Sequence, residues 1–233
     1  DMPGTTEPGV IYPHTSTTLF KFLPAGNGLE AVGTFTNATG STVSSMTDMA
    51  ADSFGTLYGI TFGALYTCHP QTAVCASLGA LPGSYNGLTM LPPGTISDTT
   101  DTLVAITTSG AWYSLSVDAN GVLASPIGSY GTGYSSSGDV YSIANIGTYA
   151  AVNKTGQSLD YLVQVDPLSG NVLNEVGPIG TLTNVWGLAG WQGRAYAFDS
   201  SGTIVQVDLD TGLTTWVMDT PNSWWGAGVQ TQL

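Results

Sequence analysis

Apolar and polar residues alternate with period two through many short stretches of the chain, and the stretches come in pairs separated by turn residues. The clearest pair is Ile204-Val-Gln-Val-Asp-Leu-Asp-Thr-Gly212 followed by Leu213-Thr-Thr-Trp-Val217. The phrase returns as Leu162-Val-Gln-Val-Asp-Pro-Leu-Ser-Gly170 with Val172-Leu-Asn-Glu-Val176, and as Trp112-Tyr-Ser-Leu-Ser-Val-Asp-Ala-Asn-Gly121 with Val122-Leu-Ala-Ser. Two further copies are Leu65-Tyr-Thr-Cys-His-Pro with Val74-Cys-Ala-Ser-Leu-Gly79, and Leu19-Phe-Lys-Phe-Leu-Pro with Leu29-Glu-Ala-Val-Gly33. Alternation marks a half-buried strand, and a break rich in Asp, Asn, Gly or Pro between two such runs marks a hairpin.

The matching positions Phe22, Cys68, Val117, Val165 and Val207 lie 46, 49, 48 and 42 residues apart. Repeats of that length containing only strands predict the four-stranded blades of a β-propeller. Two more strand candidates precede each hairpin. They are Trp186-Gly-Leu-Ala-Gly190 and Arg194-Ala-Tyr-Ala-Phe-Asp199 in the clearest unit, and the first of the two is rich in Gly and Ala, as a crowded innermost strand requires. From Val207 through the C-terminus and on to Phe22 is another 48 residues, one more blade length. The tail Trp224-Trp-Gly-Ala-Gly-Val-Gln230 copies the innermost-strand pattern that the N-terminal unit lacks. The expected fold is all-β: five four-stranded antiparallel blades over residues 10–233, closed by the C-terminal strand completing the N-terminal blade. Residues 1–9 read as a flexible tether.

The unit from Trp186 to Gly212 resembles the repeats of secreted bacterial β-propellers of the quinoprotein-like and YVTN-like type, and the similarity extends over essentially all of the chain after residue 9. The resemblance implies an extracellular, periplasmic or cell-surface location and a scaffold or recognition role. Quinoprotein enzymes have more blades and a large cofactor site, so no cofactor is carried over.

Composition narrows the functional classes. Sixteen acidic residues against three basic ones give a net charge of −13, with 8% of residues charged and 42% apolar. That much apolar material builds a core, and no apolar run reaches the ~18 residues of a membrane span. A negative surface repels phosphate backbones, and Lys21, Lys154 and Arg194 form no basic run, so nucleic acid is excluded as a partner. Cys68 and Cys75 match neither a redox motif nor a zinc pattern, and on two strands of one hairpin they face each other at disulfide distance. A disulfide implies an oxidising compartment. The first residues contain no signal-peptide pattern and no initiator Met, which predicts a processed, exported chain.

Candidate chemistry is sparse. Glycoside hydrolysis needs an acid and a second carboxylate across the scissile bond. The three Glu residues fall in the tether (Glu7) or on outermost strands (Glu30, Glu175), so only Asp48, Asp52 and Asp139, on or beside inner strands, could serve a channel site. The same three are the candidate ligands of a channel cation such as calcium. His69 reads as a turn residue, in the place of Asp118, Asp166 and Asp208 of the sister repeats, and His14 as exposed at a strand end. Asp208 and Asp210 lack the remaining ligands of a calcium loop and read as turn chemistry. Aligning the starts of the inner strands puts Thr47, Asn86, Val140, Trp186 and Trp225 in one row, preceded by Met46, Tyr85, Asp139, Val185 and Trp224. Tyr85, Asn86, Asp139, Trp186, Trp224 and Trp225 are therefore the candidate ligand-binding set at one mouth of the channel. Aromatic faces beside Asn and Asp suit a glycan or a small amphipathic molecule, and the competing role for the same rings is packing between blades. The leading expectation is a non-catalytic propeller, tethered or free, that binds a glycan, small molecule or protein. A polysaccharide-acting enzyme with an all-Asp channel and a purely structural domain of a larger surface protein are the alternatives.

Overall fold

The alternating stretches form twenty strands, and the computed structural model describes residues 4–232. The first blade contains β1 (Tyr12–His14), β2 (Thr18–Leu23) and β3 (Gly28–Thr34), and the second β4 (Met46–Ala51), β5 (Leu57–Thr61), β6 (Ala64–Cys68) and β7 (Cys75–Ala80). The third runs through β8 (Gly87–Leu91), β9 (Thr102–Ile106), β10 (Ala111–Asp118) and β11 (Gly121–Ser129). The fourth is β12 (Tyr134–Ile143), β13 (Gly147–Lys154), β14 (Asp160–Val165) and β15 (Val172–Pro178), and the fifth β16 (Val185–Trp191), β17 (Arg194–Asp199), β18 (Thr203–Asp208) and β19 (Thr214–Asp219). The last strand, β20 (Gly226–Gly228), pairs with β1 in the order β20-β1-β2-β3. Five antiparallel four-stranded blades thus form a closed β-propeller, with the C-terminal strand as the innermost strand of the N-terminal blade. Among the described residues no helix is long and apolar enough to cross a membrane.

The register accounts for the alternation. Third strands such as β14 and β18 bury residues from both faces against adjacent blades, while β3, β7, β15 and β19 are largely exposed. A β-bulge interrupts the pairing of third and fourth strands at the same place in every blade, at Leu19/Phe20, Leu65/Tyr66, Trp112/Tyr113, Leu162/Val163 and Ile204/Val205. The extra residue on the outer strand is Val32, Leu78, Ile127, Val176 or Val217, and each packs against a buried cluster. The bulge therefore turns one aliphatic side chain inward and twists an outer edge that would otherwise offer itself to another chain.

The core is a set of wedges between blades. Trp224 is fully buried, edge-to-face with Phe20 at 5.1 Å and Phe198 at 5.8 Å, so the tail packs against blades one and five together. Trp112 and Tyr130 fill the next wedge but one, between blades three and four. Cys68 and Cys75 are directly paired across β6 and β7 and joined by a disulfide. Of the expected tether, residues 1–3 lie outside the described residues, and residues 4–9 lie along the ring. Thr6 donates its N–H to the Gly55 carbonyl and accepts a 2.8 Å bond from Gln230 Nε2 on its hydroxyl, so these residues join blade two to the end of the closing strand.

Candidate functional site

The inner strands β4, β8, β12, β16 and β20 stand side by side around the axis, and three consecutive residues from each form three stacked rows. Bulges at the starts of β4 (Met46/Asp48) and β16 (Val185/Gly187) turn Thr47 and Trp186 out of the ladder, and β12 is irregular from Ser136 to Val140. The upper row is Thr47, Asn86, Gly138, Trp186 and Trp225, all of which line one cavity of about 160 Å³ at the mouth, together with Phe62 and Ser137. Trp186 and Trp225 meet at 81° with ring centroids 6.0 Å apart.

The middle row is Asp48, Gly87, Asp139, Gly187 and Gly226. Below it, the backbone N–H groups of Met49, Leu88, Val140, Leu188 and Ala227, one from each blade, turn toward the axis. Two carboxylates take all five. Asp48 accepts Met49 N–H on Oδ1 at 2.8 Å and Leu88 N–H on Oδ2 at 2.6 Å. Asp139 accepts Val140 N–H on Oδ1 at 2.6 Å, and Leu188 and Ala227 N–H on Oδ2 at 2.6 and 2.9 Å. Without a carboxylate, five convergent donors would be an anion site. Here the chain supplies its own anion.

Both carboxyls are fully buried, and burial pushes both titrations well above the ordinary range. The two carboxyls titrate as a pair: the neighbouring Asp139 raises Asp48 further, while hydrogen bonds lower Asp139, which has three of the five N–H donors. His14 lies against the same pair. A Cβ on Gly226 would strike both Asp48 Oδ1 and His14 Nε2, so that glycine is the gap into which the imidazole and carboxyl fit. Expected at an exposed strand end, His14 is instead completely buried in the closed N-terminal blade. Its Nδ1 bonds the Thr15 carbonyl, Nε2 has no partner, and desolvation lowers its pKa from 6.5 to about 4.

The expected ligand set therefore divides. Asn86, Trp186 and Trp225 line the mouth cavity. Tyr85 and Trp224 are turned into the wedges, Tyr85 edge-to-face with Tyr113 and Trp224 as described above. Asp139 belongs two rows deeper than its expected place, because the irregularity in β12 shifts that strand by two residues and puts Ser137 and Gly138 where Asp139 and Val140 were aligned. Gly138 is required there, since a Cβ would meet the Trp186 backbone at 2.6 Å. Phe62, in the β5–β6 turn, and Ser137 were not anticipated; an exposed aromatic in a tight turn was the available signal. Of the candidate cation ligands, Asp48 and Asp139 meet on the axis and Asp52 lies apart from them. Asp52 caps its own turn through Phe54 and Thr56 N–H, and four residues of strand, about 13 Å, separate it from Asp48. Among the described residues no group of three His, Cys, Asp or Glu side chains is placed to hold a metal. The turn readings hold: His69 Nδ1 accepts Gln71 N–H, and Asp118, Asp166 and Asp208 each accept the N–H two residues on.

No protein-family model matches the chain, and no curated protein matches it. A solved structure described as "The de novo evolutionary emergence of a symmetrical protein is shaped by folding constraints" is similar over 96% of this chain and 99% of that one, with a TM-score of 0.57 and 11% identity. At that identity the likeness concerns the fold alone.

Proposed function

We propose that the chain is a non-catalytic binding propeller that takes a small ligand in the mouth cavity. One observation carries the reading: every blade contributes a residue to a single concave site, and its walls are aromatic rings not consumed by the interblade core. Concave, mostly apolar sites with few polar groups are where small molecules bind. The channel carboxylates favour a supporting role over a chemical one: all four oxygens accept backbone N–H groups and neither side chain has exposed surface. The disulfide favours an oxidising, secreted, periplasmic or cell-surface setting, in keeping with the resemblance to secreted bacterial propellers. The test is a tryptophan-fluorescence and calorimetric screen of sugars, ammonium compounds and small alcohols against the protein and its Trp186→Ala variant. Binding lost in a folded variant supports the reading. No response to any class, or binding indifferent to Trp186, would sink it.

A further inference from the structure

We infer that the mouth cavity takes an organic ammonium cation, an alkylated headgroup rather than a sugar ring. The inference rests on the small-ligand reading above and narrows it.

Polar groups decide first. A sugar needs several convergent partners for its hydroxyls, and most polar side chains of this cavity are already engaged. The Thr47 hydroxyl lies within bonding reach of the Ile60 and Tyr85 carbonyls, and the Ser137 hydroxyl donates to Asp160 Oδ2. Gly138 has no side chain to offer. Asn86 remains, and its orientation is set by its neighbour: Ser136 gives its proton to the Gly138 carbonyl and so accepts from Asn86 Nδ2. The end without a partner is therefore the oxygen, Oδ1. An unpaired carbonyl acceptor beside aromatic rings is matched by a donor on the ligand, the N–H of a tertiary ammonium or the hydroxyl of choline.

Walls and charge agree. Trp186 and Trp225 stand nearly perpendicular, and half-exposed Phe62 adds a third ring. Ring faces are the negative part of the aromatic quadrupole, and a cation within about 6 Å of the centroid is attracted to them. No cationic side chain lines the cavity among the described residues. Lys21, Lys154 and Arg194 are ion-paired with Glu7, Glu175 and Asp208. The net charge of −13 raises the local concentration of any cation, and the Asp48–Asp139 pair lies one row beneath the floor. Size is compatible: the cavity of about 160 Å³ admits a trimethylammonium headgroup.

The experiment titrates the whole protein with choline, trimethylammonium, the neutral tert-butyl analogue of choline, glucose and N-acetylglucosamine, read by calorimetry. Choline is expected to bind at least roughly tenfold more tightly than its neutral analogue, and Trp186→Ala or Trp225→Ala to weaken it by a similar factor. Phe62→Ala, at an exposed turn, provides a variant that stays folded if either tryptophan variant does not, and is expected to weaken choline several-fold. Equal affinity for choline and its neutral analogue, or sugar binding without ammonium binding, would overturn the cation and leave the small-ligand reading standing. Ammonium binding unchanged in the aromatic variants would overturn the site, and silence from every ligand would overturn both.

Discussion

Removing the Asp139 carboxylate should be among the most damaging single changes available to this chain. Its two oxygens accept N–H groups from blades four, five and one, and it faces the Asp48 carboxyl, so all of these contacts lie on the axis. In Asp139→Ala three buried donors lose their acceptor at once. Each unsatisfied buried donor costs about 1–3 kcal/mol, which gives about 3–9 kcal/mol before any water enters. A domain's entire stability is about 5–15 kcal/mol, so the variant should be barely folded or unfolded. Asp139→Asn is the more discriminating test, because it keeps the volume and excludes water. Its amide oxygen can retain Leu188 and Ala227 while its NH₂ faces Val140, so one donor is lost and the expected cost is about 1–3 kcal/mol. Asp48→Ala strands two donors and should fall between the two. Urea unfolding followed by circular dichroism gives the three values, with Asp118→Ala, an exposed turn residue, as the control. If Asp139→Ala costs no more than Asp118→Ala, the carboxylates do not hold the five inner strands together.

His14 makes the protein acid-sensitive. Its folded pKa of about 4 lies below the unfolded value of 6.5, so the unfolded chain binds the proton more tightly, and stability contributed at neutral pH is lost as pH falls from about 6.5 to 4. The shift corresponds to roughly 3 kcal/mol, and His14→Phe should flatten that limb of a stability–pH profile; a profile of unchanged slope would refute it. Reducing the Cys68–Cys75 bridge, which closes a loop of sequence separation 7, should lower stability by about 2–3 kcal/mol, while the native protein alkylated without reductant should show no mass increase. Deleting residues 222–233 removes β20, Trp224 and the Ala227 bond to Asp139 and should leave no cooperative melting transition. Deleting residues 1–8 removes the Thr6 contacts and the Glu7–Lys21 pair and should lower the midpoint by only a few degrees; equal midpoints for the two truncations would contradict the role of the closing strand.

The blade count and closure were legible because they depend on spacing and alternation, which the chain repeats openly from Leu19 to Val217. The cystine was legible for the same reason, since pairing of β6 with β7 follows from the hairpin. The axis was not. Asp48 and Asp139 fall in unrelated local contexts, Met-Thr-Asp-Met and Ser-Gly-Asp-Val, and only the irregularity in β12 puts them in one row. An alignment that assumes regular strands slides Asp139 toward the mouth and leaves Gly138 unnoticed. Trp224 and Trp225 illustrate the remaining ambiguity: adjacent in sequence and identical in type, and both just ahead of β20, one fills a wedge and the other lines the cavity. The five outer-strand bulges were hidden too, since Val32, Leu78, Ile127, Val176 and Val217 look like ordinary strand residues until the register shows each one unpaired.

The middle row also sets a limit on symmetry. Five blades present five identical donors to one point, yet three positions of the row are glycine and two are aspartate. Five aspartates would crowd five carboxyls into a space that already requires Gly226 to lack a Cβ, and five glycines would leave the donors facing nothing. An odd-numbered ring with two acceptors must divide them unequally, two donors to one and three to the other. A chain assembled from one perfected blade copied five times could therefore not reproduce this axis. The blades must stay different at their centre, however closely their outer strands converge, and exchanging blades three and four would set the two acceptors side by side, away from donors across the ring.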